Sequence, residues 1–243
     1  PTIGTLGCTI TPDSDDTALT WRVAPGDKTQ LLQSALATMT EFKRADGLYR
    51  TWLAPRDKYQ CLDPGHDPNP ADVGIQMHIF LFLEQVDKPA AVALCEALSR
   101  EAADDDIWVY YADAPLMITL RLADLKKAGC VPQFPQAQLQ TETLGQEIWV
   151  QAAEQLRQME ADGGSYQHYQ QTSDLLRAIA ADDFALLSHA PPLLYHNDLT
   201  ATVKRFYWSQ DFGYALWLRL YFENEIMLAK LPCASGGPKQ KCG

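Results

Sequence analysis

The sequence lacks the features that mark several common classes of protein. Its longest apolar runs, at 79–83 and 213–222, are far shorter than the roughly 20 residues that a membrane-spanning helix needs. Cysteine and histidine never occur at CxxC or CxH spacing, so zinc sites and thioredoxin-type chemistry have no support. Basic residues are also few, since 20 lysines and arginines against 31 acidic residues give a formal charge of −11. This charge argues against binding of nucleic acid or anionic membranes.

Length and composition fit a folded domain with a large core. The chain has 243 residues, of which 47% are hydrophobic and 21% are charged, and such values are ordinary for a globular protein. We therefore predict a single domain over residues 1–232. A flexible or disulfide-tied tail, CASGGPKQKCG, is predicted over 233–243.

The six cysteines are widely scattered along the chain. We expect Cys95 and Cys130 to be buried thiols, whereas Cys233 and Cys242 have the spacing to close a small loop in an oxidising compartment. The chain begins with Pro1 instead of Met. Together with the number of cysteines, this start slightly favours an extracytoplasmic location over a cytoplasmic one, and both stay open.

Helical periodicity dominates the chain. In the segment 28–42, the apolar residues recur at helical spacing on one face: Leu31, Leu32, Ala35, Leu36, Met39 and Phe42. The best strand candidate, IWVYY at 107–111, is interpreted as the start of a helix. The predicted helices cover 28–42, 71–86, 89–102, 114–129, 143–164, 171–189 and 209–230. The predicted fold class is therefore all-α.

The order of the helices suggests an architecture. Segments 71–86 and 209–230 are apolar on nearly every side, which is typical of buried helices, and they alternate with amphipathic segments suited to the surface. Alternating inner and outer helices are typical of an α/α toroid, in which helical hairpins surround a cavity. We predict such a toroid, either complete or abbreviated, with a plain helical bundle as the alternative.

The stretch PDSDDTALTWR (12–22) places three carboxylates directly ahead of a helical pattern. In one interpretation Asp13 or Ser14 caps the helix, and the other acids lie in its first turn, where the helix dipole favours negative charge. In the other, the crowded carboxylates of Asp13, Asp15 and Asp16 cannot all ionise. One of them then keeps a proton near neutral pH and serves as an acid.

Residues 13–18, DSDDTA, resemble the DxDD-T-A motif of class II terpene cyclases, the family that includes squalene–hopene cyclases. The resemblance implies an α/α toroid in which Asp15 protonates an alkene or an epoxide and so starts a cyclisation. Asp13 and Asp16 match the carboxylates that flank this proton donor.

Three other stretches are similar to parts of the same family. EFKRADGLYRTW (41–52) and QMEADGGSYQHY (158–169) resemble degenerate copies of its QxxDGxW repeat, with Tyr49 and Tyr166 near the position of the tryptophan. DVGIQMHIFLFL (72–83) is similar to the start of an inner toroid helix. Full-length cyclases of this family have two toroid domains, whereas this chain has room for one.

The implied reaction is cyclisation of an isoprenoid in an apolar cavity, where aromatic ring faces stabilise the carbocation. For His78, the alternative to substrate binding is a hydrogen-bonded position in the core. The candidate substrate-binding residues are Trp21, His78, Tyr207, Trp208, Tyr214 and Trp217.

A loop rich in proline and aspartate, CLDPGHDPNPADVG (61–74), precedes the predicted buried helix. Asp63, His66, Asp67 and Asp72 have the chemistry of a calcium or transition-metal site. The alternative is an exposed turn followed by a helix cap at Asp72, and we predict this arrangement. We accordingly expect no metal and no cofactor.

Two further functions stay open. Segment 189–217 brings aromatic and acidic residues together, which is typical of carbohydrate-active or glycan-binding toroids, with platforms such as Tyr207 and Trp208 beside Asp211. Alternatively, the toroid is a non-catalytic module, and a protein partner covers an apolar patch on its surface.

Overall fold

The structure is a computed structural model of the whole chain, and helices dominate it. It describes residues 2–3, 8–9, 12–23, 29–55, 69–108, 115–135, 145–162, 164–196 and 206–231. These residues form eight α-helices and two small two-stranded sheets, which confirms the all-α prediction. Within them, no helix combines the length and the apolar character that crossing a bilayer requires.

The helices follow the predicted segments closely, with one helix more at the N-terminal side. They are α1 (Ser14–Val23), α2 (Thr29–Glu41), α3 (Val73–Val86), α4 (Lys88–Glu101), α5 (Pro115–Lys127), α6 (Glu147–Asp162), α7 (Tyr166–His189) and α8 (Gln210–Lys230). The strands are β1 (Thr2–Ile3) paired with β2 (Cys8–Thr9), and β3 (Leu193–His196) paired with β4 (Phe206–Trp208).

The chain divides into two compact units. Unit 1 consists of Pro1–Glu142 and Tyr195–Tyr207, and unit 2 consists of Thr143–Leu194 and Trp208–Gly243. The toroid arrangement and the single domain over 1–232 stay predictions. The predicted tail with Cys233 and Cys242 lies outside the described residues.

Side-chain caps fix the starts of several helices. The Asp72 carboxylate accepts hydrogen bonds from the Gly74 and Ile75 amides at 2.9 and 3.3 Å, and the Ser209 hydroxyl accepts one from the Phe212 amide at 3.1 Å. Such caps satisfy amides that have no partner within the helix. The cap predicted at Asp72 is confirmed.

Unit 1 is built around α3. Every residue from Val73 to Leu83 is buried, because α1, α4 and α5 all pack against this helix. The prediction of a buried apolar helix is confirmed here. The next helix, α4, is amphipathic as predicted and buries Ala91, Leu94, Ala97 and Leu98.

A disulfide joins α4 to the segment that follows α5. Cys95 and Cys130 are bonded, with Cα atoms 5.9 Å apart, a normal separation for this linkage. The prediction that both are free buried thiols is therefore wrong. Cys130 is buried as predicted and Cys95 is partly buried, but the sequence pattern carries no information on which distant cysteines form a bond.

Two details of the helix predictions in unit 1 are also wrong. Leu31 was assigned to the buried face of α2, yet it is exposed, and Met39 is the fully buried residue of that helix. Residues 107–111 do not start a helix in their described part. Ile107 ends a short 3₁₀ turn, and Trp108 has no helical conformation.

Unit 2 consists of α6, α7 and α8 packed against one another. Trp149 of α6 is fully buried, and its indole N–H donates to the Ala190 carbonyl at 2.8 Å. Helix α7 is interrupted near its middle, since Asp182, Asp183 and Phe184 have φ values of 49°, 55° and 61°. Left-handed backbone of this kind is costly for residues other than glycine.

Helix α8 differs from its prediction. Its sequence is apolar on nearly every side, and it was therefore expected to be buried like α3. Instead, it buries one face and exposes a stripe of large apolar side chains, spaced as one side of a helix: Tyr214, Leu218, Tyr221, Phe222 and Ile226. The physical reason is that, of the helices described in unit 2, α6 and α7 pack against α8, and their contacts leave this stripe uncovered.

Candidate functional site

The acidic motif lies at the start of α1. Asp13 immediately precedes the helix, and its Oδ1 atom accepts a hydrogen bond from the Asp16 amide at 3.0 Å. Asp15 and Asp16 occupy the first turn. The motif therefore has the cap geometry that one interpretation predicted, and the carboxylates lie where the helix dipole favours negative charge.

Hydrogen bonds anchor this helix start to the segment 50–53. The fully buried Ser14 donates through its amide to the Thr51 carbonyl at 2.8 Å and through its hydroxyl to the Arg50 carbonyl at 2.6 Å. The Leu53 amide donates to the Pro12 carbonyl at 2.9 Å. The position of the carboxylates is thus determined by backbone contacts on both sides of the motif.

The anchoring segment overlaps the end of the first repeat-like stretch, EFKRADGLYRTW (41–52). Gln76 of α3 accepts from the Tyr49 amide and donates to the Tyr49 carbonyl, both at 2.8 Å. Gly47 has a φ of 98°, and a Cβ atom there would lie 3.1 Å from the Ala97 Cβ. This stretch therefore connects the acidic motif to the core helices α3 and α4.

The carboxyl groups of Asp13 and Asp15 are half-buried and close enough to influence each other's pKa. Burial, and then the charges of Asp15 and Asp16, raise the pKa of Asp13 to about 7. Burial, and then the charge of Asp16, also raise the pKa of Asp15. Two carboxyl groups that interact this strongly titrate as a pair, so we expect them to share one proton near neutral pH.

An aromatic pair lies within electrostatic range of these acids. The rings of Tyr195 and Tyr207 are stacked with centroids 4.2 Å apart at 17°, and 39% and 40% of the two residues are exposed. Burial raises the pKa of Tyr195, and Tyr207, Asp15 and Asp16 raise it further. Tyr207 was a predicted site residue, whereas Tyr195 was missed because no local pattern links it to a motif so distant in sequence.

Two other predicted residues of unit 1 lie in or against its core. Trp21 of α1 is partly buried and packs against the core cluster. His78 of α3 is only 5% exposed, yet among the described residues its Nδ1 atom has no hydrogen-bond partner. His78 therefore lies in the core, but its Nδ1 atom lacks the hydrogen bond that the alternative interpretation predicted.

The remaining predicted aromatic residues belong to unit 2. The Trp217 indole N–H donates to the Leu176 carbonyl at 3.0 Å, and the Tyr214 ring lies 4.8 Å from the Phe184 ring. Trp208 is the exposed last residue of β4. The structure groups these three residues with unit 2 and not with the acidic motif, and their role in substrate binding stays a prediction.

No metal site is visible in the described part of the chain. There, no group of three or more histidine, cysteine, aspartate or glutamate side chains has an arrangement suited to a metal ion. Asp63, His66 and Asp67 lie outside the described residues, and the Asp72 carboxylate caps α3.

A cleft of about 260 Å³ lies in unit 1, but it is not at the acidic motif. Residues of α3, α4 and the end of α5 line it, including Phe80, Ala91, Val92 and Gly129. The apolar cavity expected at Asp15 stays a prediction.

The comparisons with known proteins give no match. No family model matches the chain, and no curated protein or solved structure is significantly similar to it. The resemblance to class II terpene cyclases therefore depends on the motif residues alone. In chemical terms, the site combines a carboxyl pair that keeps a proton with two exposed aromatic faces, an arrangement suited to acid catalysis on an apolar substrate.

Proposed function

We propose that the protein is an acid catalyst of isoprenoid cyclisation, similar in mechanism to class II terpene cyclases. One observation supports the proposal above all: the half-buried, interacting carboxyl pair of Asp13 and Asp15, in which the pKa of Asp13 is raised to about 7. An ordinary aspartate is almost fully ionised at this pH. A pair that keeps a proton supplies the acid that the reaction needs.

In the proposed mechanism, the Asp15 carboxyl transfers its proton to one carbon of an alkene. The other alkene carbon becomes cationic, and a second double bond of the same molecule attacks it and closes the ring. The new negative charge on the carboxyl pair is stabilised by the Asp16 amide and the start of α1. The faces of Tyr195 and Tyr207 stabilise the cation. A carbon next to the cationic centre then returns a proton to the carboxyl pair, which ends the reaction and restores the acid.

The test is product formation from polyprenyl substrates with two to six isoprene units, detected by mass spectrometry. We expect Asp15→Asn and Asp13→Asn to abolish the product, because an amide cannot donate a proton to carbon. Asp104→Asn is the matched control and should keep full activity. It alters an exposed carboxylate that accepts a hydrogen bond from the Asp106 amide. Wild-type protein without product on every substrate, or an active Asp15→Asn variant, would contradict the proposal.

A binding or assembly module is the second candidate, because the apolar stripe of α8 (Tyr214, Leu218, Tyr221, Phe222 and Ile226) is exposed. Exposed apolar patches of this kind mark interaction surfaces. The test is sedimentation over a wide concentration range. Association that Leu218→Glu with Phe222→Glu abolishes would support self-assembly through the stripe, and a monomer at all concentrations would exclude it.

A further inference from the structure

Three ionisable side chains in unit 1 each have a buried nitrogen atom without a hydrogen-bond partner among the described residues. These atoms are Arg22 Nε at the end of α1, His78 Nδ1 in the middle of α3 and Arg121 Nε in α5. Buried polar groups are nearly always hydrogen bonded in proteins, so each exception needs an explanation. Here the three exceptions come from α3 and from the two helices α1 and α5 that both pack on it.

The three side chains lie close enough to influence one another electrostatically. Burial, and then the positive charges of Arg121 and Arg22, lower the pKa of His78 to about 3, so this ring is neutral at pH 7. Burial and Arg121 also lower the pKa of the Arg22 guanidinium, an effect that Asp124 opposes. The three side chains therefore form a single cluster.

The cluster carries an excess of positive charge. Its one acidic neighbour in these interactions, Asp124, accepts a hydrogen bond from the Arg121 Nη1 atom at 3.1 Å. Two guanidinium groups, one carboxylate and a neutral imidazole leave a net charge of +1. A partly buried charge without a counter-ion is costly.

The chemistry of the cluster defines its ligand. Guanidinium groups bind tetrahedral oxyanions well, because their N–H groups form a planar fork that fits two oxygens. A neutral imidazole can donate a further hydrogen bond. A metal cation would be repelled by the two arginines, and a water molecule would not neutralise the excess charge.

We propose that Arg22, His78 and Arg121 form a binding site for a phosphate-type oxyanion inside unit 1. The site is separate from the acid pair, since Arg22 lies seven residues beyond Asp15 along α1, a helix rise of about 10 Å. It does not depend on the proposed function. Both inorganic phosphate and the phosphate group of an organic ester have the required chemistry.

The test is the thermal unfolding of the full chain against increasing concentrations of inorganic phosphate, with chloride at equal ionic strength as the reference. We expect saturable stabilisation of the wild-type protein, because a ligand that binds only the folded state raises Tm. Arg22→Gln and Arg121→Gln should each weaken phosphate binding about tenfold or more. His78→Phe should weaken it as well, by a smaller factor.

The matched control is Arg177→Gln, which removes an exposed arginine of unit 2 paired with Asp174 and should leave phosphate binding unchanged. Asp15→Asn should also leave it unchanged, so failure of the cyclase proposal and failure of this one are distinguishable. Without phosphate, Arg22→Gln should not lower Tm, because it removes an uncompensated partly buried charge. Arg22→Lys keeps the charge without the fork and should bind phosphate with intermediate affinity.

An alkyl phosphate in place of inorganic phosphate distinguishes the two sources of the oxyanion. Tighter binding of the ester would identify a phosphorylated organic ligand, and equal binding would identify the free ion; either result supports the site. Three results would overturn the proposal. The first is that phosphate does not change the Tm of the wild type. The second is that phosphate raises Tm without saturation and equally in all variants, as general salt exclusion does. The third is that Arg22→Gln and Arg121→Gln both bind phosphate as tightly as the wild type.

Discussion

Helices α3 and α8 have similar sequences in one respect and different environments in the structure. Both are apolar on nearly every side, and the same argument predicted both to be buried. In unit 1, α3 is buried from Val73 to Leu83, whereas in unit 2, α8 exposes residues such as Leu218 and Phe222. In the part of the chain that the structure describes, three helices pack on α3 and two pack on α8, and the difference in burial follows from this.

This comparison shows what an apolar sequence can and cannot predict. An apolar sequence determines how much free energy burial of the helix would release, about 25 cal/mol per Å² of apolar surface. It does not determine whether another part of the fold covers the helix. For α3 that surface belongs to the same unit. For α8 the exposed stripe is available for contact, which is why it suggests interaction and not merely stability.

The largest effect is expected at the buried helix. Phe82 is one of the largest fully buried side chains of unit 1, and Phe82→Ala should cost about 3–5 kcal/mol, because it removes apolar contacts and leaves a cavity. Hydrogen exchange should show the loss of protection in α3, α4 and α5. Phe82→Leu, which keeps most of the volume, is the control and should cost less. A loss below about 1 kcal/mol for Phe82→Ala would mean that α3 is not packed as described.

The disulfide of unit 1 should have the next largest effect. Cys95 and Cys130 are separated by 35 positions, and a loop of this length corresponds to about 3–4 kcal/mol in the chain-entropy description. We expect Cys95→Ala with Cys130→Ala to reduce the protection of α4 and α5 by this amount. The helices of unit 2 should keep their exchange rates, and equal losses in both units would contradict the division into two stability units.

The pH dependence of unit 1 should contain two opposing contributions. The raised pKa of Asp13, about 7, means that the folded state binds a proton more tightly than the unfolded state does. This contribution is fully present below about pH 4 and is lost as the pH rises to 7. The pKa of His78, lowered to about 3, acts in the opposite direction, because the unfolded state binds the extra proton and stability falls as the pH drops below about 6.5.

Substitutions separate these two contributions. Asp13→Asn should remove the loss of stability between pH 4 and 7, which we expect to be about 1–2 kcal/mol after allowance for solvent screening, or roughly 2–8 °C in Tm. His78→Gln should remove the loss below pH 6.5, which arises from burial of the ring and from the positive charges of Arg121 and Arg22. Scans of Tm against pH for both variants and the wild type measure the differences. Parallel curves for wild type and Asp13→Asn would show that the acid pair holds no proton.

Local patterns were sufficient to predict the helices and their caps. The spacing of apolar residues predicted α2, α3 and α4, and the type of residue at Asp72 predicted a cap. These features depend on residues within a few turns of each other, so their physical cause is visible in the sequence. The interacting acids of the DSDD motif are also a local feature, because a single residue separates Asp13 from Asp15 at the helix start.

The features that escaped prediction depend on residues distant in sequence. Tyr195 lies in electrostatic range of Asp15, and Arg121 is near His78, but neither proximity follows from a local pattern. The bond between Cys95 and Cys130 is of the same kind. Tertiary packing creates all three, and one sequence by itself does not contain the information on which helices become neighbours.

The smallest effect is expected on the exposed helix and completes the comparison. Phe222 of α8 is 55% exposed, so Phe222→Ala should change the free energy of unfolding by no more than about 0.5 kcal/mol. Phe82→Ala removes the same atoms from α3, and the two variants therefore differ only in environment. Urea unfolding of both, at a protein concentration where the wild type is monomeric, provides the measurement. If the loss at Phe222 approaches that at Phe82, then another surface covers the stripe, and α8 is after all the buried helix that its composition predicts.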